Sequence, residues 1–291
     1  LNTNNPSSLF GILGLFLAAL FKLIPSLNKL ISNMQLIRFS YPSLNLLYNE
    51  FDTLKNANNT KHESVVEPFN ELKLLNLNFK YPFTTKPTLK NVSLNIAQND
   101  FVGIVGASGS GKTTLIDIIF GLLSVDKNQY QINKGSINPK SNDWKSKIGY
   151  VTQDTFVIND TIKSNIAFGI EDRFINDELL RKAVLNSNLS SFVHSCPGGL
   201  SYIISEKGNN LSGGQKQRIG IARALYNDPE ILIFDEATSS LDIDAKNEIL
   251  KLIYSFIGIK TIILISHQPE VLSKCTKIYK IDNGIIQDYE I

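Results

Sequence analysis

The octapeptide GASGSGKT, Gly106 to Thr113, constrains this chain more than any other stretch. It matches G-x-x-x-x-G-K-[ST] in full. A strand-like apolar run, FVGIVG, leads into it, and a helix-like run, KTTLIDIIFGLL, leads out. Strand, glycine-rich turn and helix in that order form an anion-holding unit. Gly106, Gly109 and Gly111 let successive backbone N–H groups converge on phosphate oxygens with no side chain in the way. The helix that follows presents its N-terminus to the same anion. Ser108, Ser110 and Thr114 complete the loop. Lys112 is placed to reach the β- and γ-phosphates, and the Thr113 hydroxyl to ligate Mg²⁺.

From about Phe69 onward, short β-like runs alternate with helical patterns. The strands are expected in LKLLNLNFKY, NVSLNIA, FVGIVG, IGYVTQ, EILIFDEA, KTIILIS and KIYKI. The helices are expected in KTTLIDIIFGLL, DELLRKAVLNS, GQKQRIGIARAL and AKNEILKLIYSF. Such alternation implies an α/β fold with a parallel sheet and helices on its faces. ILIF and TIILIS are continuous apolar runs, as expected of strands buried on both sides.

Ligands of open α/β sheets bind beyond the carboxyl ends of the strands. Four polar residues stand at such ends: Gln153, Asp235, Glu236 and His267. Asp235 is placed to hold Mg²⁺. Glu236, one residue on, is placed to polarise an attacking water as a general base. The plainer alternative is a helix N-terminus that uses acids to match its dipole. Gln153 offers its carbonyl to Mg²⁺ or to the water. His267 is either a hydrogen-bond donor to the γ-phosphate or the Glu236 region, or a structural residue.

A second glycine loop, LSGGQKQRIGIARAL, begins at Leu211. Ser212 is a good N-cap. Gly213 and Gly214 would allow close approach by an anion, and the helix beginning near Gln215 points its dipole at it. No lysine takes the part of Lys112, so this loop would not hold a nucleotide alone. An ordinary helix cap is the alternative.

Composition narrows the surroundings. The 291 residues suggest one or two domains. The chain is 43% hydrophobic and 19% charged, enough for a real core. A net charge of +2 makes no electrostatic case for a nucleic-acid partner. Cys196 and Cys275 show no metal or redox spacing, which suits a reducing compartment.

The N-terminal region is different. Leu9 to Phe21 is an apolar run, followed by Lys22 and Pro25, then by LNKLISNMQLIRF at helical spacing. It lacks the basic start and cleavage site of a signal peptide. It is shorter than the ~20 apolar residues of a full span. The end of a transmembrane helix, a buried core helix and an interfacial helix all remain open. Gly11 and Gly14 are tolerated in a membrane helix, and Lys22, Lys29 and Arg38 beyond the run suit a cytoplasmic exit. The chain opens on Leu1 and its one methionine is Met34, so a piece of a longer protein is expected. Asp52 to Glu67 is polar and Asn-rich, and reads as a linker. Asn58-Asn59-Thr60 matches the glycosylation pattern, too short a match to carry weight.

Residues from about 70 to 291 resemble an ABC transporter nucleotide-binding domain. The motifs occur in the family's order. Tyr81 is similar to the aromatic residue that stacks on adenine. Gly106 to Thr113 resembles the Walker A motif, Gln153 the Q-loop and LSGGQ the signature. ILIFD with Glu236 resembles Walker B with its catalytic glutamate, SSLD (Ser239 to Asp242) the D-loop, and His267 the switch histidine. ISEKG, with Glu206, resembles the exporter X-loop. Thr152 stands where proline is frequent and Gln268 where arginine is. Residues 1–50 resemble the last transmembrane helix of exporter-type half-transporters with its intracellular extension, closest in kind to bacterial lipid or lipid-linked oligosaccharide flippases.

The resemblance implies a P-loop NTPase fold, with a mixed sheet core and a helical signature subdomain at 69–291. It implies a transmembrane helix end at 1–50 and a linker at 51–68. It implies ATP and Mg²⁺, with Glu236, His267 and Lys112 catalytic. Tyr81, Gly106, Ser108 to Thr114, Gln153, Ser212 to Gln215 and Asp242 would contact nucleotide. Thr113, Gln153 and Asp235 would hold the metal. The partners implied are a second half-transporter subunit forming a homodimer, membrane lipids and a transported substrate. The setting implied is a multi-pass protein of the bacterial inner membrane with a cytoplasmic ATPase domain. Alternatives are a soluble ABC ATPase of translation or DNA repair, an importer's ATPase subunit, and an exporter of peptides or drugs.

Overall fold

The computed structural model describes residues 6–58 and 67–289. The chain divides into two compact units, 1–63 and 64–291.

The first unit is one helix, α1 (Pro6–Asn58, 53 residues). At about 1.5 Å per residue it is roughly 80 Å long, where a hydrocarbon core takes about 20 residues. Its stretch Phe10–Asp52 is long and apolar enough to cross a membrane. Large apolar side chains from Phe10 to Phe51 are exposed, the opposite of a core helix. Pro25 and Pro42 lie inside it. Each removes a backbone hydrogen bond, a loss that membrane helices accommodate. The linker expected from residue 51 is corrected in part, because α1 continues to Asn58. Residues 51–58 contain neither glycine nor proline. Asn and Asp cost a helix only about 0.7 kcal/mol each, so a helix already formed propagates through them. Residues 59–66 of that linker, with Asn59-Thr60 of the glycosylation pattern, lie outside the described residues.

The second unit opens with β1 (Glu71–Phe79), β2 (Leu89–Ala97) and β3 (Phe101–Val105). Then come α2 (Lys112–Ile119), β4 (Tyr130–Ile132), α3 (Asn142–Ser146) and β5 (Ile148–Val151). A helical stretch follows: α4 (Ile162–Ile166), α5 (Asp177–Asn186), α6 (Ser190–Ser195) and α7 (Gly213–Leu225). The chain closes with β6 (Ile231–Asp235), α8 (Ile243–Tyr254), β7 (Thr261–Ile265), β8 (Lys277–Asp282) and β9 (Ile285–Asp288).

These strands make two sheets. One is antiparallel, in the order β2-β1-β4. The other runs β5-β6-β7-β3-β8-β9, parallel throughout except for the β8–β9 edge. The architecture is therefore mixed, with the expected parallel core. Side chains alternate between the two faces of the larger sheet. Val102, Ile104, Ile231, Ile233, Ile263 and Ile265 pack with α2 and the antiparallel sheet. Phe101, Leu232, Phe234, Ile262 and Leu264 pack with α5, α7 and α8. Burial on both faces explains the unbroken apolar runs of β6 and β7.

The pattern KTTLIDIIFGLL extends past the observed helix, which stops at Ile119. Gly121 takes φ +75°, and a Cβ there would lie 1.9 Å from the Pro139 carbonyl oxygen. A left-handed glycine just past the end is a normal helix stop. The Ile119 carbonyl, left without a helical partner, accepts from the Tyr130 hydroxyl at 2.6 Å and from Trp144 Nε1 at 2.8 Å. β4 and β9 are too short to show a period, and α3, α4 and α6 likewise escape the sequence pattern.

Trp144 is fully buried and packs on the Phe69 ring at 5.8 Å. Trp144→Ala should destabilise the domain by about 3–5 kcal/mol, read from the midpoint of a denaturant titration followed by circular dichroism. A loss under about 1 kcal/mol would contradict this placement.

Candidate active site

The parallel ladder decides what meets what. Ile104 lies opposite Ile265, and Ile265 lies opposite Asp235. The ends of β3, β7 and β6 thus lie within one residue of the same level, with β5 beside β6. Whatever follows each strand emerges at the same edge. One cleft of about 630 Å³ there is lined by Thr88, Ser108, Gly109, Gly111, Lys112, Thr113, Thr114, Gln153, Asp235, Glu236 and His267.

The loop after β3 has the shape that its glycines allow. Gly109 has φ +76° and Gly111 has φ +111°, where side chains are strained. Gly106 is needed for space: a Cβ there would sit 2.4 Å from the Ile281 carbonyl oxygen. Lys112 is buried at the first position of α2, and its Nζ donates to the carbonyls of Gly106 (2.7 Å) and Ala107 (3.0 Å). Burial pulls its pKa down, while Glu236 and Asp235 act the other way. The Ser110 hydroxyl is buried with no hydrogen-bond partner. It lies against Gly106 and does not line the cleft; the wall there is formed by Gly109 and Gly111, free of side chains, which fits an anion supplied from outside. The Tyr81 hydroxyl is 3.3 Å from Thr114 Oγ1, and its ring meets Phe79 edge-on at 5.0 Å.

Across the cleft, Glu236 has φ +50°, uncommon for a residue with a side chain. Its N–H donates to the Ile265 carbonyl (3.1 Å), and its own carbonyl accepts from Ser239 Oγ (2.9 Å). These contacts hold the turn that swings its carboxylate toward β7, where Oε1 is 2.6 Å from His267 Nε2. Asp235 Oδ2 accepts from the Tyr150 hydroxyl at 2.8 Å. Burial, then the charge of Asp235, pushes the Asp117 carboxyl up. Thr113, Gln153 and Asp235 offer oxygens into the cleft. No group of three His, Cys, Asp or Glu stands together among the described residues. Such a site suits Mg²⁺, which takes one or two carboxylates and fills its shell with water and substrate phosphates.

LSGGQ lies elsewhere. Ser212 caps α7, its Oγ accepting from Gln215 N–H (3.2 Å) while Gln215 Oε1 accepts from Ser212 N–H (2.8 Å). This is a capping box. The cleft beside it, lined by Ser212, Gly214, Gln215, Arg218, Asn188, Lys251 and neighbours, shares no residue with the first. The sequence suggests glycines kept open for an anion. Within the chain they also admit α8 and the turn before it: a Cβ at Gly213 would meet Leu241 at 3.2 Å, and one at Gly214 would meet Ala245 of α8 at 3.3 Å. Asp242 lines neither cleft, and its Oδ1 caps α8 at Ala245 N–H (2.9 Å).

Sequence reasoning missed Thr88, Tyr150 and Gln217. Buried Gln217 on α7 donates to the Thr152 carbonyl (3.2 Å) and accepts from Thr155 Oγ1 (3.2 Å), bracketing Gln153. In the sequence it stands within the polar run QKQR at the start of α7, with no local signal to set it apart.

A loop shaped for phosphates, sharing a cleft with carboxylates at the end of a parallel strand one removed in the same sheet, defines a P-loop ATP-binding domain. Residues 89–239, just over half of the chain, match the family described as ABC transporter, and the chain belongs to that family. It is 37% identical over 210 residues to the ATP-dependent lipid A-core flippase 2 of Colwellia psychrerythraea, which covers 72% of this chain and 36% of that one. It is 32% identical over 282 residues to an export ATP-binding/permease protein of Rickettsia bellii, covering 95% and 46%. The chain thus spans less than half the length of these relatives. A solved bacterial Atm1-family ABC exporter with ATP bound matches at TM-score 0.67 and 29% identity, over 78% of this chain and 39% of that one.

Gly106→Ala should force the loop off Ile281. Overpacking of this kind costs about 1–3 kcal/mol, and ATP affinity should fall at least about tenfold. Equilibrium ATP binding at wild-type strength would show that the loop does not need this contact.

Proposed function

We propose that this chain is the ATP-hydrolysing part of a dimeric ABC exporter, and that hydrolysis drives movement of a lipidic substrate across the membrane. One observation carries the pairing: the LSGGQ cleft and the Lys112 cleft are both polar, and no residue lines both. Ser212, Gly214 and Gln215 have the N-terminus of α7 behind them, and the cleft holds Arg218 and Lys251, but no lysine stands at the end of a glycine loop as Lys112 does. A second copy, turned head to tail, would set this capped helix against the γ-phosphate held by the first copy's Lys112.

In that arrangement Lys112 leaves the Gly106 and Ala107 carbonyls for the phosphate oxygens. Its charge offsets the charge that builds up during in-line attack. Glu236 accepts the proton of the attacking water. His267 holds the Glu236 carboxylate in place and donates toward the γ-phosphate. Thr113, Gln153 and Asp235 would hold Mg²⁺, which when bound neutralises charge between the β- and γ-phosphates. Tyr81 would stack on adenine.

Membrane placement is supported by α1, long and apolar enough to span. It is supported too by the Rickettsia bellii match, whose 95% coverage includes most of that helix. Several relatives named lipid A-core flippases favour a lipid substrate.

In proteoliposomes, the protein should move a fluorescent lipid between leaflets when ATP is added. Glu236→Gln should bind ATP, accumulate as an ATP-bound dimer, lose turnover by about 10²-fold or more, and stop lipid movement. Turnover at the wild-type rate would remove Glu236 from the role of base. Ser212→Arg should leave ATP binding by single subunits intact and abolish the ATP-bound dimer in size-exclusion chromatography. Equal loss of ATP binding by single subunits would mean that LSGGQ serves its own chain's site.

A further inference from the structure

We propose that Tyr150 is the positioning residue of the metal site: its hydroxyl fixes the Asp235 carboxylate so that one oxygen faces the cation. The inference rests on the reading of Asp235 as the Mg²⁺ carboxylate.

The sheet supplies the reach. Tyr150 pairs in register with Ile233 on the neighbouring parallel strand. Asp235 is two residues further along β6, on the same face as Ile233. Two residues of strand are about 6.6 Å, a gap that a phenol ring bridges and an aliphatic side chain does not. The hydroxyl ends 2.8 Å from Asp235 Oδ2. Against a carboxylate it must donate. Its ring is half-buried and meets Phe120, just past α2, edge-on at 6.0 Å, so its direction is set by packing.

The surroundings make this bond matter. Asp117, from α2, is close enough to feel the charge of Asp235. Asp235 itself lines the cleft. The Tyr150 donor ties up Oδ2 and leaves Oδ1 for the cleft that Asp235 lines. Hydrogen bonds to ligating carboxylates set their orientation, and losing such a partner lowers metal affinity by about 10–100-fold.

The site's other parts do not depend on this hydroxyl. Lys112 and the loop that follows β3 make no hydrogen bond to Tyr150. The inference therefore separates metal from nucleotide. Tyr150→Phe keeps the ring and its contact with Phe120, so the fold is preserved, which a melting curve would check.

The test compares ATP affinity in EDTA and in Mg²⁺, with a fluorescent ATP analogue, for wild type, Tyr150→Phe and Asp235→Asn. Mg²⁺ should tighten binding to the wild type. In Tyr150→Phe the affinity in EDTA should match the wild type, and the Mg²⁺ concentration giving half of the tightening should rise about 10–100-fold. If Tyr150→Phe responds to Mg²⁺ as the wild type does while Asp235→Asn loses the response, the positioning role is wrong and the metal site stands. If Tyr150→Phe weakens binding equally with and without metal, the hydroxyl is merely structural. If Asp235→Asn keeps the full response, the metal assignment fails and the inference falls with it.

Discussion

The parallel ladder β5-β6-β7-β3-β8, buried on both faces, is the constraint on which the rest of the second unit depends. Successive side chains of such strands enter different cores. Here Ile231 and Ile233 face one core while Leu232 and Phe234 face the other. Any one-residue slip would flip every side chain into the wrong layer. That rigidity places the loop before Lys112, the Asp235–Glu236 pair and His267 at one edge. Chemistry that depends on distances under about 3 Å needs such a frame.

On this frame the site carries local strain and unmatched polar groups. Glu236 sits at φ +50°, and Lys112 is buried against carbonyls of its own loop. The Ser110 hydroxyl has no partner. Each is unfavourable alone, and packed surroundings keep it in place. Lys112 lines the cleft and is poised to exchange its loop carbonyls for an anion there. LSGGQ is the reverse case: a fully satisfied capping box with an exposed face and no lysine placed as Lys112 is. The two loops resemble each other in sequence and differ in what they lack.

Much of the site was legible because chemistry-bearing residues followed apolar strand runs. Gln153, Asp235, Glu236 and His267 could each be placed at a strand end, and the sheet brings them to one cleft. Asp242 was legible as a motif residue, yet its carboxylate caps α8. Tyr150 and Gln217 were not legible. Tyr150 reads as one more apolar strand residue until the register sets it beside β6. Gln217 reads as part of a polar helix start until α7 turns it inward. Neither signal is local, since each residue acts through a partner more than sixty positions away.

By itself the sequence determined the phosphate loop, the alternation of strands and helices, and a first unit too apolar to be an ordinary linker. These follow from local rules: glycine permits the turn, periodicity selects the element, and hydropathy selects the solvent. Only the tertiary structure decided the extent of α1 through its asparagines and the stop of α2 at Gly121. Only it showed LSGGQ to be separate from the Lys112 cleft, and Asp235 to be held by Tyr150. Those outcomes depend on which strand lies beside which, and on what a neighbouring backbone leaves room for. They are contacts between distant segments, where no local rule reaches.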